Sequence, residues 1–271
     1  MTVKEQIQTR AFRLQAIISR EVKTVWRTRT YFVLGIAFIA VIIGLAHSAG
    51  GYEAGYGPAV VDLLTPLEIL VPVLGFAFGY RAILSDTTSG EHDILQTFPV
   101  RQWTYVAGVF IGRALWTIVI VFFPLLAVAG LTAVTSVETV PFYETHDAAD
   151  SPILFGRFIV LTVLYTLPIV AIALAISAFA KSLWSALALI AILFMFISFG
   201  GDLLALIALE RFPDLSIYLS AMTPNSAYRG LVFEHVLGAS EPTAAHSVIN
   251  AISIMAWTII PVSIAVFIQQ R

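Results

Sequence analysis

Long apolar runs alternate with short polar ones along this chain, and the runs set its architecture. Six stretches are long enough to cross a bilayer: about Tyr31 to His47, Leu63 to Leu84, Thr104 to Val134, Ile153 to Ala180, Leu183 to Leu209 and Val248 to Ile268. Each approaches or exceeds the ~20 residues that a spanning helix needs. Ahead of them Ile7, Ala11, Leu14, Ile18, Val22 and Val25 recur at steps of three and four, with Arg13, Arg20, Lys23 and Arg27 on the opposite side. Residues 1–30 therefore read as an amphipathic helix lying on the inner leaflet, its basic side toward headgroups or solvent. A basic arm for nucleic acid is the competing reading, but it leaves the apolar stripe without a burial partner, so no nucleic-acid partner is expected. Residues 210–247 are too polar for a span and too rich in Leu, Ile, Tyr and Phe for a plain loop. Broken at Pro213, Pro224 and Pro242, they predict short helices at the outer interface.

The expected fold is an all-α integral membrane protein of six transmembrane helices preceded by an interfacial helix, in one transmembrane domain over residues 1–271. Composition agrees: 59% of residues are hydrophobic and 12% charged, against about 45–50% and about 25% in soluble domains. The first twenty-odd residues carry charges rather than an apolar core, so no removable signal peptide is expected and the first span acts as the insertion signal. Lys4, Arg10, Arg13, Arg20, Lys23, Arg27 and Arg29 precede that span, Arg81 and Arg101 flank the loop after the second, Lys181 follows the fourth and Arg271 ends the chain. Only Arg211 and Arg229 fall on the other side, so the positive-inside rule places both termini in the cytoplasm of a multi-pass protein of the cell membrane. The outer loops are acidic, with Glu53, Asp62, Glu138, Glu144, Asp147 and Asp150.

Between the second and third spans lies a polar island, residues 85–103. Thr88 and Glu91 have the spacing of a capping box, which predicts a helix starting near Ser89. Pro99 limits it to roughly two to three turns. Ile94, Leu95 and Phe98 share one of its faces. A short capped helix with an apolar knob suits docking into a groove on another subunit; an interfacial helix resting on lipid has the same local pattern.

The stretch Gly90-Glu-His-Asp-Ile-Leu-Gln-Thr-Phe-Pro-Val-Arg-Gln102, with Gly108 beyond it, resembles the loop of ABC-2 type transporter permeases. In these a Gly-Thr-Leu-x-x-Leu-Leu-Ser-x-Pro-Val-Ser-Arg pattern precedes a Gly-containing span. Glu91 and His92 replace the usual Thr-Leu, and Asp86 alone remains of the acidic cluster before the glycine. Hydropathy and topology extend the resemblance over nearly the whole chain. Thr223-Pro-Asn-Ser-Ala-Tyr-Arg229 is also similar to an Asn-Pro-x-Asp-x-Tyr/Phe-Arg stretch in permeases of the nitrous-oxide-reductase maturation type. The resemblance implies a permease subunit working as a dimer, of two identical copies or with a related permease, beside a separate cytoplasmic ABC ATPase that binds ATP and magnesium. It makes 85–103 a coupling-helix loop, with Gly90, Glu91, Asp93, Ile94, Leu95, Phe98 and Pro99 facing the ATPase, and 210–247 a small outer hairpin. Export of a small sulfur or copper species follows from the second similarity; lipid, drug or polysaccharide cargo stays open.

The residues themselves offer little catalytic chemistry. There is no cysteine, which excludes thiolate nucleophiles and Cys-based zinc sites. The sequence has no Gly-x-x-x-x-Gly-Lys-Ser/Thr, so ATP hydrolysis belongs to a partner and no cofactor is expected in this chain. It also lacks His-Glu-x-x-His and Gly-x-Ser-x-Gly, and its five histidines are not paired at metal-ligand spacing. A secondary transporter and a non-transporting scaffold for a maturation complex are the rival readings; the first usually shows internal repeats around a midplane site, and no convincing repeat is present. Charges within spans are the best pathway markers, because hydrocarbon penalises them. Glu68, Arg157 and Asp202 are expected in the outer part of the membrane, either lining a vestibule or pairing to lock helices, and Arg113 is expected to snorkel or pair locally.

Overall fold

A computed structural model describes residues 3–88, 101–135, 150–211, 215, 218–219, 221–238 and 247–270. Eleven helices are followed here: α1 (Val3–Arg27), α2 (Arg29–Ala49), α3 (Gly51–Ala54), α4 (Tyr56–Gly79), α5 (Leu84–Thr88), α6 (Gln102–Thr135), α7 (Pro152–Phe179), α8 (Leu183–Met195), α9 (Gly201–Arg211), α10 (Pro224–His235) and α11 (Ser247–Gln269). Among the described residues six helical segments are long and apolar enough to span: α2, α4 with α5, α6, α7, α8 continuing into α9, and α11. The protein is therefore a multi-pass, all-helical membrane protein. We call the end where α2 begins and α11 finishes proximal, and the other end distal.

Local chemistry starts and stops these helices where the hydropathy changes. Ser151 accepts from the Leu154 amide, with Pro152 supplying a preset φ in the first turn of α7. Ser182 and Ser185 cap α8 reciprocally, and Thr223 accepts from the Ser226 amide ahead of Pro224 to start α10. α2 ends on Gly50, whose φ of 80° lies in the left-handed region that favours glycine. The second span begins earlier than hydropathy indicates, at Tyr56 rather than near Leu63, because Asp150, just ahead of α7, accepts from the Tyr56 and Gly57 amides and caps the roughly two extra turns.

α7 is the central post, packed by α4, α6, α10 and α11. Its Phe155, Phe158, Tyr165 and Ile169 are fully buried. Without a hydrophobic drive between helices in lipid, such packing rests on close van der Waals fit. The peripheral helices α2, α8 and α11 instead present apolar side chains outward, among them Phe32, Ile192 and Ile259. The fifth span is interrupted by a π-helical turn at Phe196–Gly200 before α9, at the Gly200-Gly201 pair that weakens the helix there.

α1 has a protein partner. Gly108 and Gly112, one turn apart on α6, let it approach so closely that a β-carbon would stand 2.6 Å from Ile17 Cγ2 at the first and 2.5 Å from Glu21 Cβ at the second. Trp116 on α6 donates to the Val22 carbonyl at 3.0 Å, and its ring stacks on Trp26. The apolar side of the amphipathic helix is thus laid against the third span, through Ile17 and Ile18 as well as Val25.

Candidate functional site

Two clusters of charge are built into the bundle. The proximal one grows from Glu21 on α1, which shares the buried side with Val25. Its carboxylate accepts from Arg113 Nε at 3.0 Å, and both side chains are almost wholly out of solvent. Arg113 lies eleven residues into α6, also donates to the Phe78 carbonyl of α4 at 3.3 Å, and stands over the Tyr31 ring of α2. A buried guanidinium is tolerable when its donors are matched in this way. Arg113 pairs across the helices, 92 positions away in sequence, rather than locally or by snorkelling.

Arg20 extends the network. It donates to Glu21 at 2.7 Å and to Asp86 of α5, and Asp86 also accepts from Tyr105 of α6 at 2.7 Å. Burial, the largest single effect on Arg20, pulls its pKa down, but the hydrogen bond and charge of Asp86, with those of Glu21, more than offset this and hold it above the ordinary value. Arg20, placed by helical spacing on the solvent side of α1, is therefore half-buried in a clamp. The clamp fastens α1 and the third span to α5, the described element that opens the polar island.

The island's proposed contact residues, Gly90, Glu91, Asp93, Ile94, Leu95, Phe98 and Pro99, lie outside the described residues. So does the Glu91 half of the capping box. Thr88, its other half, is the last residue of α5 and donates to the Leu84 carbonyl at 2.8 Å.

The distal cluster centres on Glu68, twelve residues into α4 and so about 18 Å from its start. Its carboxylate is buried and receives two hydrogen bonds from Arg229 of α10, at 2.7 and 2.6 Å. Arg229 also donates to Asp202 of α9 at 2.8 Å. This bidentate geometry is the strong form of the arginine–carboxylate contact. The Glu68 hydrogen bond is the main cause of an Arg229 pKa above its ordinary value, so the guanidinium stays charged. Tyr165 on α7 donates to Asn225 of α10 at 3.2 Å, and its ring stacks on Tyr228 with centroids 4.6 Å apart. Tyr228 shares a hydrogen bond of 2.8 Å with Thr162. Through these contacts α10 docks onto the central post.

Of the three charges expected together, the structure joins Glu68 and Asp202 through Arg229 and leaves Arg157 out. Arg157 is exposed on α7 and donates to the His235 carbonyl at 3.3 Å. Either cation satisfies hydropathy; the choice is made by α10, which carries Arg229 back to the depth of Glu68. Sequence reasoning did not single out Glu21, Tyr105, Tyr165 or Asn225. One signal was present: Glu21 follows Leu14 and Ile18 and precedes Val25 at helical spacing, a carboxylate on an apolar stripe, while Arg113 is an unmatched cation in a span beside Gly108 and Gly112. The two anomalies answer each other. Both clusters are ties between helices.

Over residues 15–271 the chain matches the model of the ABC-2 family transporter proteins. It is similar to a protein of Pseudomonas aeruginosa described as probable ABC transporter permease protein NosY, 28% identical over 223 residues, which cover 79% of this chain and 78% of that protein.

Proposed function

The chain belongs to the ABC-2 family of transporter proteins, and we propose that it is the permease subunit of an exporter in the cytoplasmic membrane, driven by a separate ATPase. Both termini and the 85–103 loop face the cytoplasm in this reading, which makes the proximal end the inner one. Two copies work together, since six spans seldom enclose a solute path alone.

The observation that carries the reading is the clamp of Asp86 by Arg20 and Tyr105. A push delivered to the loop by the ATPase needs a stiff connection to the spans. Asp86, four residues before Gly90, is fastened to α1 and α6, and α6 in turn to α4 through the Arg113 contact with Phe78. The loop's movement is then passed to helices as a body rather than absorbed in a slack linker. Glu91 and Asp93 act as polar contacts and Ile94, Leu95 and Phe98 as the knob. In the outer half, Glu68, Arg229 and Asp202 tie the spans that part when cargo leaves.

Mild-detergent purification from the native membrane, followed by an ATPase assay, tests this. A stoichiometric ATPase is expected to accompany the chain. Phe98→Ala is expected to weaken that association, and Asp86→Asn to leave it intact while lowering the permease's stimulation of ATP turnover severalfold. A chain that comes down alone, with no response to added candidate ATPases, would overturn the reading in favour of a secondary carrier or a scaffold.

A further inference from the structure

Where α1, α2, α4 and α8 meet at the proximal end they leave a cleft of about 640 Å³, within the ~300–1,000 Å³ usual for small-molecule sites. Its lining is sorted by depth. Thr30 belongs to the first turn of α2 and Arg81 follows the end of α4, so the polar part lies where the spans finish. Val73 lies about 9 Å further back along α4, and Leu187 and Phe194 lie one and three turns into α8. These deeper residues make the inner wall of the cleft apolar, while Arg113, already held by Glu21, and Thr24, Thr28 and Ser85 also reach its lining.

Arg81 is the unusual member. Arg20, Arg113 and Arg229 each meet a carboxylate, whereas the Arg81 guanidinium is exposed and has no acceptor among the described residues. The Thr30 hydroxyl, also in the lining, bonds to no described group. A fixed cation and a free hydroxyl at the membrane boundary, above a cleft with apolar walls, complement one kind of molecule: an anionic head on a hydrocarbon chain. A soluble anion leaves the apolar walls wet, and a neutral lipid leaves Arg81 unmatched.

We infer that this cleft is a binding site for a membrane amphiphile with an anionic phosphodiester head. The phosphate meets Arg81 and Thr30, and an acyl chain lies along Val73, Leu187 and Phe194. The site requires only that the chain span a membrane, and holds whatever the ATPase partner proves to be.

The purified chain in nanodiscs of equimolar phosphatidylglycerol and phosphatidylcholine, gently extracted and weighed by native mass spectrometry, tests the site. Phosphatidylglycerol is expected to be retained in preference. Arg81→Gln should lower that preference about fivefold, the effect of one cation facing an anionic lipid, without changing the thermal unfolding of a side chain that ties nothing. Ala191→Trp, which adds bulk at an exposed position of the lining, should reduce retained lipid of both kinds. An unchanged preference in Arg81→Gln overturns the site, as does an equal loss in Arg157→Gln, which removes a cation at the other end. Displacement of the lipid by millimolar glycerol phosphate alone would make the ligand a soluble anion and overturn the assignment to a lipid.

Discussion

The two charge clusters start alike and are finished differently. Each holds a glutamate almost wholly removed from solvent against an arginine, Glu21 with Arg113 and Glu68 with Arg229. In the proximal cluster the arginine is also buried, its side chain 4% exposed, whereas the distal arginine is 34% exposed and its second partner, Asp202, 53%. Separating the first pair strands the Arg113 guanidinium in a low-dielectric interior and leaves Glu21 only the partly exposed Arg20. Loosening the second lets water replace Asp202 at little cost. The proximal cluster is therefore the more closed of the two and the distal cluster the one with an exposed side, the division of labour that the proposed function asks for.

The sharpest way to break this contrast is Arg113→Met. It takes from the Glu21 carboxylate its wholly buried partner and leaves it only the partly exposed Arg20, and the expected loss is about 3 kcal/mol of stability, the low end for breaking a buried pair, read as a fall in the thermal unfolding midpoint in detergent. The double variant Glu21→Gln with Arg113→Met should recover much of that loss, because a stranded charge is removed rather than created. A single variant costing under about 1 kcal/mol would mean that water reaches Glu21 and that the proximal cluster is no more closed than the distal one.

Glu68→Gln is the distal counterpart and should cost less, about 1.5–3 kcal/mol, the range for hydrogen bonds to charged groups. Arg229 keeps Asp202 and is already partly exposed, so it is not left without a partner. Equal costs for Glu68→Gln and Arg113→Met would erase the difference between the clusters.

How far the sequence reaches follows the same division. The six spans are legible because the bilayer imposes their length and forbids unsatisfied backbone. The starts of α7 and α8 are legible near Ile153 and Leu183, whereas the caps that fix them, Ser151 and Ser182, emerge only with the structure. The second span's true start is not, because its cap is Asp150, 94 residues from Tyr56. The partner of Glu68 is hidden for a related reason: α10 is too polar to read as a span, and only its packing on α7 through Tyr228 and Asn225 brings Arg229 to the carboxylate. Glu21 was legible in principle as an acid on an apolar stripe, but its significance rests on Gly108 and Gly112, which let α1 sit against α6.

Asp202→Asn should have the smallest effect on stability and the most local one. Asp202 follows the π-helical turn, and its side chain is 53% exposed, so an exposed ion pair's ~0–1 kcal/mol is the expected cost. The variant still removes a charge that holds α9 to Arg229, while Gly201 remains packed against Thr223 and Ser226 at the start of α10. Backbone hydrogen exchange is then expected to quicken in α9 and leave α1 and the first turns of α6 unchanged, because the Glu68 tie survives and no contact connects Asp202 to the Glu21–Arg113 pair. Quickened exchange at both ends would instead show the clusters to be coupled through α4, which carries both Glu68 and the Phe78 carbonyl that Arg113 holds. The bundle would then open and close as a single unit rather than yield first at its distal side.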